Sequence, residues 1–132
     1  MKPDLSKVWK ISAADPGSNV GLHAWSEDEA LDFCGRLLYA NTLFEVINLT
    51  IQRADSRSKV DWASQTKTIS WGIQWVVRIP HETGRDGYRE IQLKSKHELL
   101  GTILAELRKG AFHIDVRNIL NAPTEDIQLP PE

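Results

Sequence analysis

Residues 66–80 read TKTISWGIQWVVRIP. Ile69, Trp71, Ile73, Trp75, Val77 and Ile79 fall on every second residue, which in an extended chain puts all six on one face. Thr68, Ser70, Gly72, Gln74, Val76 and Arg78 fall on the other. The segment is predicted to be the central strand of an antiparallel sheet with its Trp/Ile face covered. A straight strand of about 15 residues would run ~50 Å, so a bend is expected where it is easiest, at Gly72.

Working outward, residues 43–53 alternate as well, with Leu43, Glu45, Ile47, Leu49 and Ile51 opposite Val46, Asn48, Thr50 and Gln52. The polar stretch 54–65, ADSRSKVDWASQ, reads as a long hairpin loop. Pro80 removes a ladder donor, residues 81–87 form a turn-rich connection around Gly84 and Gly87, and residues 88–94 alternate again. Three consecutive strands make a meander. If inward sets face each other, Ile51 lies opposite Ile69, Asn48 opposite Gly72 and Glu45 opposite Trp75.

A helix is expected on each side. Ser26 and Glu29 form a capping box before an apolar stripe of Ala30, Phe33, Cys34, Leu37 and Leu38, giving a helix over 27–40. Ser95 and Glu98 repeat the box before Leu99, Leu100, Ile103, Leu104 and Leu107, and Gly110 is the expected C′ glycine. Before the first helix, Val8, Trp9 and Ile11 suggest a short edge strand in a poorly defined segment 1–25. After the second, Phe112, Ile114 and Val116 suggest a fourth strand, followed by an extended proline-containing tail at 121–132. The fold class is α+β: a two-layer sandwich of a three- to four-stranded antiparallel sheet with two helices on one face, ordered α-β-β-β-α, with room for an extra strand at either end.

The chain has 132 residues, enough for one domain with its own core. Its net charge of −2, from 16 basic and 18 acidic side chains, does not favour a polyanionic partner or a membrane surface. One cysteine excludes an internal disulfide, and no stretch approaches the ~18 apolar residues of a membrane span. A cytoplasmic location is expected. The residue identities show no internal repeat.

No catalytic or nucleotide-binding motif is present, and the four histidines are scattered, so neither cofactor nor metal is expected. His113 and Asp115 share a strand face but form too small a set for a metal. Cys34 sits in the core stripe of its helix. Trp25, beside the Ser26 cap, is expected to pack.

The leading functional reading is a non-catalytic protein-binding module, of inhibitor or immunity type or self-associating through an open sheet face. Its candidate contact residues are Asn48, Thr50, Trp62, Thr68, Ser70, Gln74, Arg78 and Gln92. Trp62 stands out as an aromatic in a polar loop with cations nearby. A second reading is a ligand-binding protein or small enzyme with a cavity between helices and sheet, lined by Glu45, Trp71 and Trp75. The third, nucleic-acid binding through Arg53, Arg57, Lys59, Trp62, Lys94 and Lys96, is not favoured by the charge balance.

Overall fold

The structure, a computed structural model, describes residues 7–40, 45–60, 62, 68–80 and 88–119. The element order is β1 (Trp9–Ala14), β2 (Asn19–Ala24), α1 (Glu27–Gly35), β3 (Asn48–Arg53), β4 (Trp75–Pro80), β5 (Tyr88–Leu93), α2 (Lys96–Arg108) and β6 (His113–Asn118). A π-helical stretch, Arg36–Ala40, continues α1. The strands form one six-stranded antiparallel sheet in the order β2-β1-β3-β6-β4-β5.

The fold class is α+β with two helices, but the sheet is larger than expected and its order is not a meander. β6 lies between β3 and β4, pairing with both. Its apolar side explains the position: Ile114 and Val116 are fully buried, and only an interior strand covers both of its edges as well. Ile51 therefore faces Ile11 and Ile114, not Ile69, and Asn48 faces Ala14 and Arg117.

The N-terminal segment supplies a hairpin where a single edge strand was expected. The Asp15 carboxylate makes its turn, accepting from the Gly17 amide at 2.9 Å, the Ser18 amide at 2.6 Å and the Ser18 hydroxyl at 2.9 Å. These bonds, the Ser18 hydroxyl first, hold the Asp15 carboxyl below its ordinary value. The turn is thus supported in full above the ordinary value and loosens as pH falls below it through the lowered one.

Both helices start where their caps are. Ser26 Oγ accepts from the Glu29 amide at 3.1 Å, and Ser95 Oγ accepts from the Glu98 amide at 3.1 Å. The Glu98 carboxylate reaches one residue past the cap to the Lys94 amide, 3.2 Å away. At the end of α2, Gly110 has φ +98° while its amide donates to Leu107 and that of Ala111 to Glu106, the doubled closure that a left-handed glycine permits.

The chain folds as two ββαβ units. In each, a hairpin is followed by a helix, and the last strand returns beside the first strand of the hairpin. Trp9 pairs with Ala24 and Trp75 with Leu93; two residues on, Ser26 and Ser95 cap the helices. Each unit's last strand ends on the same bond, Ala54 N to Val8 O and Ile119 N to Gln74 O, both 2.8 Å. β3 and β6 join the units antiparallel, so a pseudo-two-fold axis passes between Thr50 and Asp115, which are opposite each other. An axis perpendicular to the sheet keeps both helices on one face. The main core lies there: Trp9, Ile11, Leu49, Ile51, Trp75, Val77, Ile114 and Val116 meet Cys34, Leu38, Leu99, Ile103 and Leu107.

The long strand predicted over 66–80 is six residues long, Trp75–Pro80, because β5 and β6, its partners, are also six. Residues 70–73 make a turn, closed by Ile73 N to Ser70 O at 3.3 Å, with Gly72 at φ +82°. Trp71 consequently points to solvent, and Trp25 is also largely exposed. The expected tail at 121–132, the connection at 81–87 and the strand start at Leu43 lie outside the described residues. Among the described residues, no helix is long and apolar enough to cross a membrane.

Ile114→Ala removes a fully buried side chain at the junction of the two units. It is expected to cost about 2–5 kcal/mol, read as a lower urea midpoint.

Candidate functional site

The sheet face away from the helices was expected to be open, and half of it is covered. Described residues of the connection from β3 to β4 pack on that face: Ser58 against His113 of β6, Trp62 over Arg78 of β4 and Arg117 of β6, and Thr68 and Ser70 beside Gln92 of β5. Ile69 and Ile73 bury themselves with Val76 in a second cluster, with Trp62 and Ile119 packed against it. Apolar residues of the supposed strand thus serve both sides of the sheet. The uncovered half is small in its side chains: Ser12, Ala14, Asn19, Gly21, Asn48 and Thr50 line a shallow pocket of about 330 Å³.

Arg78 is the centre of the covered half. It is 1% exposed, and its Nε donates to Glu90 Oε2 at 2.8 Å. Its guanidinium carbon lies 4.4 Å from the Trp62 ring centre and 4.3 Å from that of Tyr88, so two aromatic faces help replace the water it lost. Arg117 reaches the same Trp62 ring at 4.8 Å. Trp62, itself partly buried, is therefore brought onto the buried Arg78.

A chain of polar contacts crosses the pseudo-two-fold axis. Ser58 Oγ is 2.7 Å from His113 Nδ1, His113 Nε2 is 2.9 Å from Asp115 Oδ2, and Thr50 Oγ1 donates to Asp115 Oδ1 at 2.5 Å. An ionised carboxylate can only accept, so Nε2 donates to Asp115, and in a neutral ring Nδ1 then accepts from Ser58. Ser56 Oγ lies 2.8 Å from Ser58 Oγ, and Gln52 Nε2 donates to the carbonyls of Ser58 at 2.9 Å and Ser56 at 3.2 Å. The network fixes the start of the connection onto the sheet.

The end of the connection carries the most exposed aromatic among the described residues. Trp71 is 82% exposed. It sits at the second position of a turn whose third position needs a positive φ, supplied by Gly72, which is the pattern of a type II turn. On either side Ile69 and Ile73 are buried. The Gln92 carboxamide grips the approach to the turn: its Nε2 donates to Thr68 O at 2.8 Å, and its Oε1 accepts from the Ser70 amide at 3.1 Å. Thr68, Ser70 and Gln92, chosen from the sequence for their polarity, thus meet beside Trp71. Gln74 follows the turn, its amide donating to Leu93 O.

Of the other candidates, Asn48 and Thr50 lie on the uncovered half, away from the turn. Glu45, Trp71 and Trp75 do not gather: Trp75 is in the main core, while Glu45 and Trp71 are exposed. Lys96 donates its amine to Leu38 O at 2.8 Å. Burial pushes the Cys34 thiol up to about 12. Among the described residues, no group of three histidine, cysteine or carboxylate side chains could hold a metal.

Sequence reasoning missed two features. It placed Trp71 in the core, although Ser70 and Gly72 beside it are a turn signal. It paired His113 with Asp115 on one strand face but gave them no further partners, because Ser58 and Thr50 come from distant parts of the chain. Compared with protein-family models, curated proteins and solved structures, the chain finds no match.

Arg78→Ala removes the Arg78–Glu90 ion pair and one of the two guanidinium groups that stack on Trp62. A loss of about 3 kcal/mol is expected, the low end for a buried pair because Glu90 keeps some water. Arg78→Lys should recover only part of it, since an ammonium does not stack as a planar group does. Cys34 should resist alkylation at pH 8 in the native state and react after unfolding. Its contribution to stability is present in full below its ordinary value of 9.0 and lost as pH rises toward about 12, by about 1.4 kcal/mol per pH unit.

Proposed function

We propose that the protein is a non-catalytic protein-binding module, of inhibitor or immunity type, that docks through the Trp71 turn. The observation that carries this reading is a tryptophan fully presented to solvent on a turn braced by two buried isoleucines and a glutamine clamp. An aromatic anchor of this kind can bury about 150–250 Å² in a partner pocket. Because the turn is already formed, little conformational freedom is left to lose on binding. Thr68, Ser70 and Gln74 around it are uncharged hydrogen-bonding residues, which suits an apolar pocket with a polar rim.

A second reading is supported by one observation, the order Ser58, His113, Asp115, which is that of a nucleophile, a base and an orienting carboxylate. Against it, the Ser58 amide donates to Ser56 Oγ at 3.2 Å and is not free to stabilise an oxyanion. The binding reading takes the network as a latch for the connection.

Trp71→Ala should leave thermal stability nearly unchanged, since the side chain is exposed. It should weaken capture of the partner from host extract by about 30-fold, a hot-spot loss of about 2 kcal/mol. Equal capture by both proteins would sink the reading. On the same reading, a fluorophosphonate probe leaves Ser58 unmodified; labelling abolished by His113→Ala would favour the hydrolytic alternative.

A further inference from the structure

The two edges of the sheet are built differently, and among the described residues nothing guards one of them. At the hairpin turn the Asp15 amide donates to Ser18 O, 2.9 Å away, so residues 15 and 18 form a hydrogen-bonded pair. Such pairs alternate along an antiparallel ladder. From the register, Ala13 with Val20, Ile11 with Leu22 and Trp9 with Ala24 are then the bonded pairs. The amides and carbonyls of Asn19, Gly21 and His23 therefore point away from β1, toward the outside of the sheet. By the same alternation Tyr88, Glu90 and Gln92 point outward on β5.

Proteins guard an open edge with charge, proline, bulges or a covering segment. β5 carries Arg89 and Glu90, and the Gln92 side chain holds the Thr68–Ser70 backbone beside it. β2, NVGLHA, has no Lys, Arg, Asp, Glu or Pro, and it pairs without a bulge over all six residues. Its helix-side residues, Val20 and Leu22, stay only half-buried against the core.

We propose that β2 pairs antiparallel with β2 of a second copy of this chain, making a two-fold dimer with a continuous sheet. This goes beyond the reading of the Trp71 turn and does not depend on it. The strand complements itself when Gly21 lies on the two-fold axis. Asn19 then faces the partner's His23, and the three outward residues exchange about six backbone hydrogen bonds. On the helix side Val20 meets the partner's Leu22, in the closer, non-hydrogen-bonded kind of pair, and both lose their remaining exposure to water. On the other face Gly21 places no side chain at the axis. The partner's His23 then arrives beside Asn19, on the rim of the shallow pocket whose Asn48 and Thr50 offer hydrogen-bonding groups.

Light scattering and sedimentation of the full chain test this. The expected mass is about 30 kDa, twice 14.9 kDa. Gly21→Pro removes an outward donor without removing a hydrogen bond of the monomer. Gly21→Lys adds a side chain where a Cβ meets nothing within 4 Å. Both are expected to return the mass to 14.9 kDa with an unchanged far-ultraviolet spectrum, the lysine variant guarding against a proline that fails to fold. Oxidised Gly21→Cys is expected to run as a disulfide-linked dimer, because facing Cα atoms on a bonded pair lie about 5.5 Å apart. A wild-type monomer at every concentration up to the solubility limit overturns the proposal. So does a dimer that survives Gly21→Lys, or one lost only in Trp71→Ala, which would move self-association to the turn.

Discussion

The structure depends on one strand pair, β3 with β6. Each ββαβ unit closes its own three strands on a helix, but a three-stranded sheet with a single helix has little interior. Pairing β3 with β6 merges two such layers, placing Ile51 against Ile114 and Leu49 against Val116 at the middle of one core. The same pairing brings Thr50 and Asp115 together on the opposite face, so the join is apolar on one side and polar on the other. Every residue of the polar network except Ser56 and Ser58 comes from these two strands. The latch that fixes the long connection is thus a by-product of how the units meet.

The two halves share one geometry and differ in what they carry on the far face. Across the axis the row reads Gly21, Ser12, Thr50 on one side and Asp115, Arg78, Glu90 on the other. Small side chains leave a shallow depression; large charged ones need cover. Arg78 without water needs the carboxylate of Glu90 and the rings of Trp62 and Tyr88, and the connection supplies the first of those rings. Covering that half in turn exposes Trp71, because the chain must reverse beside the sheet before it enters β4. A buried cation on one side of the connection and an exposed aromatic at its end are two results of one path.

What the residues made legible was mostly local. Both helix starts followed from Ser26 with Glu29 and Ser95 with Glu98, since a cap is decided within four residues. The α+β class and the antiparallel sheet followed from alternation. Strand order did not, because β6 joins partners far away in sequence, and alternation says which side a residue faces, not which strand it meets. The pattern over 66–80 misled for a specific reason: a turn of even length lets alternation continue while the chain leaves the sheet. Ile69 and Ile73 were correctly read as buried, in the wrong layer. The repeated architecture was invisible because only positions such as Trp9 and Trp75 or Ser26 and Ser95 keep the same residue.

The position of β6 also has a meaning for synthesis on the ribosome. β1, β2, α1 and β3 can assemble as soon as residue 53 has cleared the exit tunnel, because β1 pairs only with β2 and β3, and β3 needs β6 only on its other edge. β4 and β5 have no such option: they join the rest of the sheet only through β6, which is made after them. Until then the inner edge of β3 stands open and the second hairpin waits. The order of translation runs against the order of strands in space, and the nascent chain spends that interval as half a protein with an unfinished neighbour.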